Sequence, residues 1–250
     1  MNEPDETSNP ALGDAGQFPG THWSVVLSAG HGDDTRAHEA LTRLCQTYWY
    51  PLYAFVRRHG HAPEEAQDLT QGFFAHLLEH HGLAGVHPAK GRFRSFLLAS
   101  LRHFLANERA HAQAQKRGGG RPLVSLDTTA AETRYGAEAA VHESPDKAYE
   151  RNWALALMEQ VLNRLRAEQV ALGKERQFEL LRDCLMDDPD APRHADLAAQ
   201  LGLSQDAVKM AVCRLRQRYR ELLRGEIAQT VSSPAEVEEE IQHLFAVLAG

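Results

Sequence analysis

Cysteine is scarce: Cys45, Cys184 and Cys213 are the only three in 250 residues. Thiols so few and so far apart make neither a disulfide framework nor a zinc ligand set, and they suit a reducing cytoplasm. No apolar run approaches the roughly twenty residues that a membrane span needs, so membrane insertion is not expected. The opening MNEPDETSNPALGDAGQF is acidic and polar and lacks the charged-then-apolar layout of a secretory signal, so export is not expected either. Strand-like alternation and internal repeats are missing as well. No nucleophile constellation stands out, and Gly118-Gly119-Gly120 lacks the strand-to-helix setting of a phosphate loop. His76 and His80 are four apart on one predicted helix, as metal ligands can be, but they lack the Glu and the third ligand of a hydrolase site. No catalytic residue, metal or cofactor is expected.

What the sequence has in abundance is helical periodicity. Residues 1–20 read as a disordered tail. A stripe of Leu41, Leu44, Tyr48, Leu52 and Phe55 follows, interrupted at Pro51, which can kink it. Pro63 suits the first position of a helix running to about Glu79, and a third helix covers about Arg94 to Gln115. Residues 118–144 hold three glycines in a row, Pro122 and scattered acids without a sustained period, the composition of a linker. Ser144-Pro145 opens a new helical block with Trp153, Leu157, Val161, Leu162 and Leu165, and another helix spans about Lys174 to Met186. The expected fold is all-α: a first domain over 21–117, a flexible linker over 118–144, a second domain over 145–225 and an acidic helical extension over 226–250.

The formal net charge of −7 should repel a polyanion, but the charge is unevenly placed. Residues 90–121 carry eight Lys or Arg against one acid, Glu108, and residues 209–224 carry six against one, Glu221. Residues 225–250 carry five Glu and no Lys or Arg. Two basic blocks on separate predicted helices suggest two nucleic-acid surfaces.

The second block lies in HADLAAQLGLSQDAVKMAVCRLRQRYR, residues 194–220. It reads as two short helices joined at Gly202, with Ser204 as N-cap of the second. Val208, Val212, Leu215 and Tyr219 share one face of that helix, and its other faces carry Gln205, Asp206, Lys209, Arg214, Arg216, Gln217 and Arg220. A helix pair with a cationic second member is the layout of a helix-turn-helix. A solvated face on an ordinary helical hairpin accounts for the same charges.

In PEEAQDLTQGFFAHLLE, residues 63–79, Ala66, Leu69, Phe73 and Leu77 form the predicted buried stripe, and Glu64, Asp68, Gln71, Gly72 and Glu79 point outward. The first basic block then interleaves Phe93, Phe96 and Phe104 with arginines, an arrangement on which unpaired bases can stack. Phenylalanines in the core of an amphipathic helix are the commoner explanation. Thr70 sits within the acidic helix about 40° from Ala66 of the apolar stripe, by projection at 100° per residue. A phosphate there would meet apolar packing, so Thr70 is expected to be at least partly buried.

These segments together resemble the extracytoplasmic-function group of bacterial RNA polymerase sigma factors, over roughly residues 37–117 and 145–224. Glu65-Ala66-Gln67-Asp68-Leu69-Thr70-Gln71-Gly72-Phe73-Phe74 is similar to that family's D-A-E-D-L-x-Q-x-x-F signature, which binds the polymerase clamp. Phe96-Leu97 through Arg102-His103 is similar to the W-L-x-x-I-A-R-N run that opens and reads the −10 element, and LAAQLGLSQDAVKMAVCRLRQRYREL to the segment that reads the −35 element. Glu65 and Gln67 stand in place of Asp and Glu, Phe96 in place of Trp, and His103 where Asn is common.

The resemblance implies a non-enzymatic initiation factor. Glu64, Asp68, Gln71 and Glu79 would contact core RNA polymerase. Arg92, Phe93, Arg94, Phe96, Arg102, His103, Asn107 and Arg109 would contact −10 promoter DNA. Ser204, Gln205, Asp206, Lys209 and Met210 would lie against −35 bases, with Arg214, Arg216 and Arg218 on phosphates. An anti-sigma factor or other regulator is a further partner the family allows. A one-component helix-turn-helix regulator explains the C-terminal half, but it needs an effector pocket or dimer face in the first domain. The extension opens with Ser233-Pro234-Ala235-Glu236, a capping box, and places Val237, Ile241, Leu244, Phe245 and Leu248 on one face. It is expected either to complete the C-terminal core, since Leu222, Leu223 and Ile227 lead straight into it, or to cover the basic helix with its glutamates.

Overall fold

A computed structural model describes residues 47–79, 92–114, 128–139, 143–186, 193–231 and 233–249. The expected tail over 1–20, Leu41, Leu44 and His80 lie outside these residues. Among the described residues every regular element is helical. We number them α1 (47–58), α2 (Pro63–Glu79), α3 (Phe93–Ala114), α4 (Thr128–Ala139), α5 (Pro145–Ala171) and α6 (Glu175–Leu181), which continues into a 3-10 turn over Arg182–Cys184. Then come α7 (His194–Leu201), α8 (Gln205–Ala228) and α9 (Pro234–Ala249). None of these helices is long and apolar enough to cross a membrane.

Local chemistry sets several of the boundaries. The Ser144 hydroxyl accepts the Lys147 N–H at 3.3 Å with Pro145 at the first helical position, which starts α5. Gly202 takes φ +66°, the left-handed conformation that ends α7, and Leu203 N–H reaches back to Ala198 O at 3.0 Å. Two residues on, the Ser204 hydroxyl accepts Ala207 N–H at 3.2 Å and starts α8. At α9 the Ser233 hydroxyl donates to the Glu236 carboxylate at 3.3 Å, so this box closes through side chains.

The long helix α5 is the axis of the structure. Trp153, Leu157, Val161 and Leu165 are buried along it, against Tyr48, Leu52 and Phe55 of α1, Leu97 and Leu101 of α3, and Val208, Val212, Leu215 and Tyr219 of α8 within one core. Each such side chain contributes roughly 1.5 to 3 kcal/mol when taken from water. The core therefore runs across the boundary expected between two domains.

The stretch expected to be a linker is in part a helix. α4 falls inside it, and partners far away in sequence hold it. Glu132 accepts Arg57 Nε at 2.8 Å and Nη2 at 3.1 Å, and also the Tyr53 hydroxyl. Arg134 lies 4.0 Å over the Tyr50 ring, and Arg58 donates to Glu138 O and Glu143 O, each at 3.1 Å. α9 completes the core: it packs on α5 and α8, with Val237 and Leu244 buried. Its stripe differs from expectation at Phe245, half of which is exposed, and at Glu240, which is 1% exposed.

Thr70 is fully buried, and its hydroxyl donates to Ala66 O at 2.7 Å, one turn back in α2. Thr70→Glu would bring a charge into that packing and should lower the unfolding free energy by roughly 2 to 4 kcal/mol. Urea denaturation of the two proteins measures this; equal midpoints would contradict the buried placement.

Candidate functional site

Three surfaces hold the residues singled out from the sequence. On α8 the first turns are open: Ser204, Gln205, Asp206, Lys209, Met210 and Arg214 are all exposed, Met210 to 57%. The apolar face of Val208, Val212 and Leu215 is pinned to the core below them, so these side chains point away from it. Lys209 lies 3.8 Å from Asp206, an exposed pair worth little in water.

Further along α8 the arginines are engaged within the protein. Arg216 donates to Cys184 O at 2.9 Å and Met186 O at 3.4 Å, tying α8 to the end of the α6 turn. Arg218 makes a two-pronged pair with Glu168 of α5, both contacts at 2.8 Å, and also meets Glu221. Arg216 and Arg218, expected on phosphates, are thus structural ties in this arrangement. Arg214 and Arg220 are the exposed arginines beside the open turns.

The α3 residues divide in the same way. Arg102, His103, Asn107 and Arg109 are exposed, while Phe96 is half-buried against the core. Arg102 is paired with Asp146 and lies 5.6 Å over the Phe55 ring, and Arg109 approaches His61 Nε2 at 3.4 Å. Phe93 and Arg94, expected at DNA, are in the interior. Phe93 packs edge-on to Tyr48 with ring centres 5.5 Å apart. Arg94, 3% exposed, is paired with Glu150 of α5 and Glu240 of α9, and its guanidinium sits 4.6 Å over the Trp153 ring. Arg92 reaches the same Glu240 at 3.0 Å. His243 of α9 closes the cluster on Glu150 at 3.1 Å.

Burial raises the Glu240 carboxyl above the ordinary glutamate range, and Arg94, then Arg92, pull it back. This cluster was legible only as an anomaly. Arg94 falls on the apolar stripe of Leu97, Leu98, Leu101 and Leu105, and Glu240 on that of Val237 and Leu244. A charge on each of two buried faces calls for an opposite charge across the interface.

On α2, Glu64 and Asp68 are exposed one turn apart, and Gln71 is partly exposed. Glu79 closes the helix. α2 and α3 meet through Phe104, whose ring centre is 5.8 Å from Phe73 and 5.6 Å from His76. Among the described residues no group of three or more His, Cys, Asp or Glu is placed to hold a metal ion. Comparison with known protein families, curated proteins and solved structures finds no match.

Carboxylates held low by hydrogen bonds link the fold to acid, Glu168 and Glu132 most deeply placed among them; Glu221 is held low by Gln217 and Arg218. Hydrogen bonds from Arg218 hold Glu168 below the ordinary glutamate range against the opposing effect of burial, and Arg57 does the same for Glu132. A depressed folded value means that the stabilisation is present above the unfolded value and is lost as pH falls through the folded one. Glu240, whose value is raised, works in the opposite sense, favouring the folded state as pH falls. The melting temperature should therefore drop as pH goes from about 4.5 towards 3, and Arg218→Gln should flatten that drop. Calorimetry across this range checks it; an unchanged slope in the variant would contradict the role given to the pair.

Proposed function

We propose that the protein is a non-enzymatic transcription initiation factor of the extracytoplasmic-function sigma type, acting in the cytoplasm, which binds core RNA polymerase and directs it to promoters. The observation that carries this reading is the open first half of α8. A left-handed glycine turn and a serine cap launch a helix whose inner face is locked in the core and whose outer face offers Gln205, Asp206, Lys209, Met210 and Arg214. That is what a helix entering a major groove needs. Gln205 and Lys209 suit base edges, Met210 a thymine methyl and Arg214 a phosphate. The exposed acids of α2 beside the exposed Arg102, His103 and Asn107 of α3 support a second pair of roles. The acids would take a basic patch on polymerase, and the α3 residues the −10 strand.

Lys209→Ala should change preference at one or two −35 positions by roughly 1 to 3 kcal/mol each. Arg214→Ala should weaken all promoters alike and reduce the salt slope by about one. Binding selection from a random duplex pool separates the two. A consensus altered by Arg214→Ala but not by Lys209→Ala would mean that the helix is rotated in the groove.

A further inference from the structure

We propose that α9 is an intramolecular clasp that holds this chain in an off state, with Glu240 as the latch that takes Arg92, just before α3, and Arg94, in its first turn, away from nucleic acid. The inference rests on the DNA-binding reading above and adds its regulation. Glu240 lies on a helix whose Val237 and Leu244 are anchored in the core with α5 and α8, yet its carboxylate faces two cations of the other basic block. Glu150 meets Arg94 from α5, and Asp146 at the start of α5 takes Arg102. Arg92, which precedes α3, and Arg94 and Arg102 within it are thus neutralised inside the chain. On binding DNA, each such cation would otherwise displace counterions from phosphate. On α8, Arg224 is taken in the same way by Glu238 of α9.

Reach points the same way. Phe93 N–H donates to Thr230 O at 3.4 Å, so α3 begins where α8 ends. Gln205 lies one helix length from that point and His103 ten residues beyond it, so the two are at most about 60 Å apart even if α3 and α8 ran in line. Elements at −35 and −10 are, by their labels, about 25 base pairs apart, or about 85 Å of straight duplex. A chain closed in this way does not place both surfaces on their elements at once. Release of the latch frees the α3 cations for phosphate.

The test compares the 250-residue chain with its Glu240→Gln variant, using a fluorescein-labelled 30-nucleotide single-stranded DNA at fixed salt. The variant is expected to bind the strand about tenfold more tightly, with Arg92→Ala in the Glu240→Gln background removing most of that gain. Circular dichroism establishes that the helices remain. Should Glu240→Gln lose them, Glu150→Gln, which frees Arg94 from its other side, takes its place with the same expectation. Equal binding by wild type and variant would overturn the clasp while leaving the DNA reading intact. No binding by either protein would overturn the DNA reading and the inference with it.

Discussion

Trp153→Ala is expected to lower the unfolding free energy by about 4 kcal/mol, a large part of the 5 to 15 kcal/mol typical of a domain. Trp153 is 1% exposed at the middle of α5, in one core with residues of α1, α3 and α8, and its ring carries the Arg94 guanidinium. Truncation leaves a cavity that elements from both halves of the chain line, and it removes the surface on which the buried arginine rests. Urea denaturation followed by circular dichroism measures the loss. A single transition shifted to lower urea agrees with one shared core; a loss below about 1 kcal/mol would contradict it.

Asp68→Arg combined with Gln71→Ala is expected to weaken binding to core polymerase by about a hundredfold or more, equivalent to roughly 3 kcal/mol. Asp68 is exposed on α2 one turn from Glu64, so reversing its charge costs the fold little. The cost falls on the partner, whose basic surface would face a like charge. Co-elution of core enzyme with each protein reads the effect, with the melting temperature as control. Undiminished co-elution would remove polymerase docking from α2.

Helix ends were legible because their causes are local. Pro63, Ser144-Pro145, Gly202, Ser204 and Ser233-Pro234 each act within a turn of their own position, and the helices start or stop there. The burial of Thr70 was legible from the period of α2 alone. α4 was hidden because little within residues 128–139 marks an apolar face beyond Ala131. Its supports, Arg57 and Arg58, lie 75 to 80 residues away in sequence. Phe93 and Arg94 were expected at DNA because aromatic and basic residues alternate there, yet Arg94 finds Glu240 across 146 residues. Arg216 and Arg218 likewise could not be told from free cations until Cys184 O, Met186 O and Glu168 were brought beside them. Pairings at long range, not propensities, decided which charges remain open to a partner.

Transcription by purified core polymerase from a library of random upstream sequences, with start sites sequenced, tests the central claim most directly when run with both the wild-type chain and Glu240→Gln. The account predicts start sites that depend on the added protein and share two upstream elements, the distal one altered by Lys209→Ala. Start sites identical to those of core enzyme alone, for both proteins, would contradict it.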